Sequence, residues 1–210
     1  MDKANKTELI EEIVKLEWEA FDKVQNEGGR AYCQDNYKTF SIMRKSQYMA
    51  WTEELLKSFI DDFKNANFVG RNLIEEKYGR MMESTAPEEY EKIKEYFPVL
   101  SEQRIKLQEQ IISIQVQWME EFSTVYRKLA GNARIIHTYE DTQDDTSYET
   151  YLRGEISTYS EDTIKLYAEF IIHIAREGDN LAGLIIGNTA KRYGFESLEE
   201  AENFLSSMNH

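Results

Sequence analysis

The fold depends most on one stretch, residues 19–51, which reads EAFDKVQNEGGRAYCQDNYKTFSIMRKSQYMAW. Large apolar side chains alternate there with polar groups, and the apolar groups draw the segment toward the protein interior. Each polar group carried inward must then find a hydrogen-bond partner. A second stretch of the same character, SYETYLRGEISTYS, covers residues 147–160. We therefore predict that the two stretches meet and form one polar site inside the protein.

The rest of the chain is typical of a helical protein. It has 210 residues, only two prolines, and many Glu, Lys, Leu, Ile and Met residues, which lose little rotamer freedom in helices. Apolar residues such as Leu9, Ile13 and Leu16 recur at steps of three and four. We predict an all-α fold, residues 1–210 forming a single domain of roughly eight to ten helices.

Capping residues and glycines predict where individual helices begin and end. We expect a first helix at 7–25, closed by the glycines at 28 and 29, and a second at 36–50, capped by Asp35. The longest helix is predicted to run over about 102–130.

A weak internal repeat relates two halves of the chain, residues 7–100 and 101–207. At one shift Ile13 falls on Ile111, and at a slightly larger shift Gln47 falls on Glu155. Chance similarity between amphipathic helices explains such matches equally well. A true duplication predicts that the two polar stretches occupy equivalent helices and face each other across a pseudo-twofold axis.

The net charge of −14 disfavours general nucleic-acid binding, because an acidic surface repels phosphate backbones. The single cysteine, Cys33, excludes an intramolecular disulfide and indicates a reducing compartment. The N-terminus has no apolar signal core, and the longest apolar runs are too short for a bilayer. We expect a soluble cytoplasmic protein that does not enter a membrane.

Basic residues within the two polar stretches predict a grip for a small anionic ligand, since guanidinium groups offer paired donors to phosphate or carboxylate. The alternative is a structural network in which nearby acids neutralise these bases. The predicted ligand-binding residues are Arg30, Arg44, Gln47, Tyr148, Glu149, Tyr151, Arg153 and Glu155.

An enzyme acting on a phosphorylated or nucleotide-like substrate is the second interpretation, with Glu149 or Glu155 as the candidate base. No metal site is expected: Glu169 and His173 have helical ligand spacing, but a second such pair is missing. Phosphate loops, dinucleotide glycine patterns, zinc cysteine patterns and serine elbows are also missing. No cofactor follows from the sequence.

Three segments resemble a known family: residues 21–47, then GRNLIEEKYGRMMEST at 70–85, then residues 147–160. They are similar to the hallmark segments of the bacterial domain-of-unknown-function family 4125, and the resemblance extends over about 11–202. It implies an uncharacterised bacterial protein. It also implies a possible protein partner, because family members can be encoded beside a nucleotidyltransferase-like protein. A protein-interaction module is therefore the third interpretation.

Overall fold

The structure, a computed structural model, describes residues 3–25 and 29–208. Within these ranges the chain folds into one compact all-α domain without strands, which confirms the predicted fold class. Its eleven described α-helices are α1 (Lys3–Asp22), α2 (Tyr37–Tyr48), α3 (Glu53–Phe68), α4 (Leu73–Thr85), α5 (Pro87–Ile93), α6 (Glu102–Val125), α7 (Arg127–Gly131), α8 (Tyr148–Ile156), α9 (Glu161–Glu177), α10 (Leu181–Arg192) and α11 (Leu198–Ser207).

The additional helix arises because the predicted helix 102–130 is interrupted at Tyr126, whose φ of −114° and ψ of 69° are not helical. A contact distant in sequence stabilises the restart. The Glu202 carboxylate of α11 accepts hydrogen bonds from the backbone N–H groups of Lys128 and Leu129, each at 2.8 Å. A carboxylate at the first turn satisfies donors that have no partner within the helix.

The start of α2 also differs from the prediction. Asn36, not Asp35, caps the helix and accepts a hydrogen bond from Thr39 N at 3.1 Å. Asp35 instead accepts one from Arg30 Nε at 2.7 Å. The first helix ends earlier than predicted, at Asp22, and Gly28 lies outside the described residues.

The core is aromatic at its centre. Trp51 is buried with its ring 4.9 Å from Tyr48 and 5.4 Å from Phe59, both in edge-to-face geometry. Tyr159 and Tyr167 close the group from the second half of the chain, at 6.2 and 5.5 Å from Trp51. Rings in this arrangement bury large apolar area with favourable quadrupole contacts. The two polar stretches therefore meet at one shared core.

Equivalent contacts recur in the two halves at an interval of 108 residues. Gly70 and Gly178 both have a φ of +75°, the left-handed conformation that favours glycine. Asn72 and Asn180 then cap α4 and α10. The pairing of helices is reciprocal, since α4 packs on α8 and α10 packs on α2.

The capping asparagines also make the same contact. Asn72 Nδ2 donates to Ala20 O of α1, and Asn180 Nδ2 donates to Trp118 O of α6, each at 2.8 Å. Ala20 and Trp118 are 98 residues apart, which is also the separation of Ile13 in α1 from Ile111 in α6 in the sequence alignment of the two halves. These contacts support internal duplication, which stays a prediction.

The α4–α8 contact depends on a glycine. A Cβ at Gly154 would lie 2.8 Å from Lys77 O and 2.8 Å from Met81 Cγ. Gly187 on α10 provides a contrast, because its Cβ would meet Leu198 Cγ at 3.9 Å, an ordinary contact distance.

Replacing Gly154 with alanine is expected to lower the free energy of unfolding by about 1–3 kcal/mol, because a backbone carbonyl yields little to an added methyl group. Gly187→Ala, the matched control, is expected to be neutral or to stabilise by about 0.5–1 kcal/mol. Urea unfolding of both variants measures the difference. Equal stability of the two would contradict close packing at Gly154.

Candidate functional site

Arg44 of α2 lies at the centre of a buried group of charges. Its Nε and Nη2 donate to the two carboxylate oxygens of Glu17 at 2.7 and 2.6 Å. Its Nη1 and Nη2 also donate to the Glu155 carboxylate of α8 at 3.2 and 3.3 Å. The three residues are 7, 1 and 4% exposed, respectively. Paired geometry of this kind gives strong, directional hydrogen bonds in the low-dielectric interior.

Lys77 of α4 completes this group. Its Nζ donates to Glu155 Oε2 at 3.1 Å and to the hydroxyl of Tyr151 at 2.6 Å. We call Glu17, Arg44, Lys77 and Glu155 the central charge cluster. Its two carboxylates balance its two cations, so no net charge is buried.

Neutral polar groups surround the central charge cluster. Gln47 accepts from Arg44 Nη1 and donates to Glu155 Oε1, both at 2.8 Å. Tyr48 accepts from Arg44 Nη2 at 2.5 Å, and Tyr159 donates to Glu155 Oε1 at 3.4 Å. Such complete pairing is what a stable interior requires of buried charges.

The charges hold one another ionised. Burial alone raises the pKa of Glu155, yet the charges of Arg44 and Lys77 outweigh it and keep that pKa well below its ordinary value. Burial lowers the pKa of Lys77, but Tyr151 and Glu155 raise it above the ordinary lysine value. Both groups therefore stay charged through the physiological pH range.

The structure thus brings together four of the predicted site residues: Arg44, Gln47, Tyr151 and Glu155. The prediction missed Glu17 and Lys77, although both carry a signal. Glu17 follows Ile13 by four positions, so it lies on the apolar face of α1. Lys77 likewise follows Leu73 by four positions, on the apolar face of α4. A charged residue on the inward face of a helix needs a buried partner.

Two other predicted residues make no hydrogen bond to the central charge cluster. Arg30 is on the surface, where it donates to Asp22 at 2.5 Å and to Asp35 at 2.7 Å. Tyr148 donates to Gln115 Oε1 of α6 at 3.5 Å.

Glu149 and Arg153 occupy the opposite face of α8 from Glu155. Arg153 donates to Glu149 at 2.7 Å, to both oxygens of Glu109 at 2.8 and 3.0 Å, and to the Thr138 hydroxyl at 2.9 Å. Burial raises the pKa of Glu149, but hydrogen bonds from Thr138 N and Arg153 bring it below its ordinary value. These two residues therefore form a second, partly exposed polar group.

A cavity of about 780 Å³ opens beside this second group, between α4, the 94–100 segment, α6 and α8. We call it the α4–α8 cavity. Its lining residues come from 80–109 and 138–157. The polar ones that bear on its chemistry are Arg80, Glu83, Ser84, Glu95, Gln108, Glu109, Thr138, Arg153 and Ser157.

The fold and these groups define an all-helical protein with a neutral cluster of buried charges and an adjacent polar cavity. Residues 7–203 match the family model described as "Protein of unknown function (DUF4125)", and the chain belongs to that family. Neither a curated protein nor a solved structure matches the chain.

Across 3–25 and 29–208, no three His, Cys, Asp or Glu side chains are grouped so as to hold a metal ion. In the same part of the chain, every helix is too short or too polar to cross a membrane.

Replacing Arg44 with alanine is expected to lower the free energy of unfolding by about 3–5 kcal/mol, because Glu17 and Glu155 lose their buried partner. Lys15→Ala is the control, since the Lys15 side chain is 76% exposed and its pairing with Glu19 is worth at most about 1 kcal/mol. Urea unfolding compares the two. A small loss for Arg44→Ala, similar to that for Lys15→Ala, would contradict a structural role of the cluster.

The low pKa of Glu155 also predicts acid sensitivity. A folded-state pKa below the unfolded value of about 4.5 gives stability that is present above that pH and is lost as the pH falls through the folded pKa. Glu155→Gln is expected to flatten the fall in unfolding free energy below about pH 4.5. Glu8→Gln, an exposed control, should leave that slope unchanged. Chemical denaturation at several pH values below about 4.5 measures this slope. If the unfolding free energies of Glu155→Gln and wild type fall in parallel, the acid sensitivity does not come from Glu155.

Proposed function

We propose that the protein binds a small ligand bearing a carboxylate or phosphate group in the α4–α8 cavity. The main support is that two guanidinium groups from different helices, Arg80 of α4 and Arg153 of α8, line this one cavity. Its volume falls in the range of ordinary small-molecule sites. Arginine offers planar paired donors that suit both kinds of anion.

Each arginine has charged partners that orient it and a neutral partner that an anion can replace. Arg80 donates to Glu76 Oε1 from Nε and Nη2 at 3.1 and 3.0 Å, and to Pro98 O at 2.7 Å. Arg153 is oriented by carboxylates but gives Nη1 to the neutral Thr138 hydroxyl. An anion that takes the place of a neutral acceptor gains a charge-assisted hydrogen bond.

One wall of the proposed site is formed by the second polar stretch, residues 147–160, as the sequence predicted. The opposite wall is not formed by the first stretch, residues 19–51. Outside α8 and its C-cap Ser157, the lining residues come from residues 80–109 and from Thr138, not from 19–51. In the proposal Arg44, Gln47 and Glu155 support the site from behind, because they anchor the inner face of the helix that presents Arg153.

No observation favours a carboxylate base. A general base works best when its pKa is raised toward the working pH, whereas the surroundings lower the pKa of both Glu149 and Glu155. The enzyme interpretation therefore stays a prediction from the sequence. The protein-partner interpretation, on which these pKa values do not bear, stays one as well.

The proposal is tested by titrating inorganic phosphate, acetate and hexanoate into the full chain, followed by isothermal calorimetry and thermal shift. At least one of these anions is expected to bind, and Arg153→Gln is expected to weaken its binding about 10-fold or more, as the loss of a charge-assisted contact does. Arg30→Gln is the control, since that arginine is paired on the surface with Asp22 and Asp35.

Unchanged affinity in Arg153→Gln, with native helical content by circular dichroism, would overturn the proposed site. Loss of binding in Arg30→Gln would place the anion at the first polar stretch instead. Absence of binding by all three anions would overturn anion binding itself.

A further inference from the structure

Gln108 of α6 lines the α4–α8 cavity and has a side-chain acceptor that no donor in the described part of the protein reaches. The residue is 2% exposed, lines the cavity, and donates from Nε2 to Ser157 Oγ at 2.9 Å. Ser157 Oγ itself donates to Arg153 O at 2.7 Å, so it must accept from Gln108, which fixes the orientation of the amide. Among the described residues, no donor reaches Gln108 Oε1. This oxygen is not one of the fully buried polar atoms that lack a partner, so it is still accessible, and an accessible acceptor without a protein donor can take a hydrogen bond from a ligand.

Two carboxylates on the cavity wall make no direct contact with a donor among the described residues. Glu83 and Glu95 are exposed and have no hydrogen bond, and no ion pair within 4.0 Å, among those residues, although the charge of Glu95 acts on Lys94. Glu109 differs, because Arg153 binds both of its oxygens. Lys94 also lines the cavity; it is paired with Glu91 at 2.5 Å, and this hydrogen bond together with the charge of Glu95 raises its pKa. Besides its cations, the cavity wall therefore carries two carboxylates that accept no hydrogen bond from the described part of the protein.

The cavity also has an apolar side, formed by Phe97, Val99 and Ile105. Phe97 packs against bare backbone, since a Cβ at Gly79 would lie 2.3 Å from its Cζ. The Arg80 guanidinium covers the same ring, with Cζ 5.4 Å from its centroid. Val99 is 98% exposed, so this apolar surface is open to a ligand.

From these three observations we infer that the ligand is a zwitterion with an apolar body, such as an α-amino acid with an aliphatic side chain. This inference rests on the proposed function, because Arg80 and Arg153 take the carboxylate. Gln108 Oε1, Glu83 and Glu95 take the ammonium group, and the apolar body lies against Phe97, Val99 and Ile105. A ligand with both charges gives the arginines a carboxylate to bind and gives the acceptors of the wall an ammonium group.

Three matched probes separate the parts of such a ligand: norleucine, its desamino analogue hexanoate, and its decarboxylated analogue pentylamine. Calorimetry on the full chain is expected to show norleucine binding about 10-fold or more tightly than either analogue, since each analogue lacks one charge-assisted contact. The double variant Glu83→Gln, Glu95→Gln is expected to remove that advantage and to leave hexanoate affinity unchanged. Glu88→Gln, an exposed acid of the adjacent α5, is the matched control and should change neither.

The outcomes distinguish this inference from the proposal beneath it. Hexanoate binding as tightly as norleucine would overturn the zwitterion and leave anion binding intact. Pentylamine binding as tightly as norleucine, with no effect of Arg153→Gln, would overturn both. Failure of norleucine to bind at about 10 mM, well above ordinary affinities for small metabolites, would overturn the zwitterion alone if hexanoate or phosphate still binds.

Discussion

The double pairing of Arg44 with Glu17 and Glu155 is the interaction on which the arrangement of the helices depends. Removing charges from water costs several kcal/mol for each ion, and only well-formed hydrogen bonds to opposite charges offset that cost. Arg44 meets this condition with two carboxylates, and Lys77 provides the second cation. The cluster joins α1, α2, α4 and α8, so these four helices must pack together for any of the charges to be satisfied.

Helix α8 has two polar faces with different surroundings. On the inner face Glu155 is held by Arg44, Lys77 and Gln47. On the outer face Arg153 reaches the α4–α8 cavity. A side chain is positioned most accurately when its helix is fixed by contacts behind it. The buried cluster and the cavity are therefore parts of one arrangement, in which the interior charges determine where the cavity residues lie.

The residues of the central charge cluster can be compared between the two halves of the proposed repeat. Gln47 and Glu155 occupy matching positions in the proposed repeat and hydrogen-bond to each other, which places them where a pseudo-twofold axis would pass. The charged partners do not repeat. At the same interval Arg44 corresponds to Leu152, and Lys77 corresponds to Ile185. If the halves are duplicated, the charged residues of the cluster therefore differ between them while the helical positions correspond.

Much of the fold was predictable from local pattern. Helical periodicity, caps such as Asn72 and Asn180, and the glycines after α3 and α9 act within a few residues of chain, so their effect is visible in the sequence. The attraction between the two polar stretches was also predictable, because buried polar groups need partners. The break at Tyr126 was not, since it is stabilised by Glu202 from a helix far along the chain.

The sequence by itself determined that the protein is helical, that its charges lie partly on inward faces, and that residues 19–51 and 147–160 share a core. Only the tertiary structure decided which charges pair: Arg44 with Glu17 and Glu155, and Arg153 with Glu109 and Glu149. It also decided that the cavity is built with residues 80–109. The physical reason is that periodicity fixes the face of a helix on which a side chain lies, while the packing of other helices fixes what covers that face.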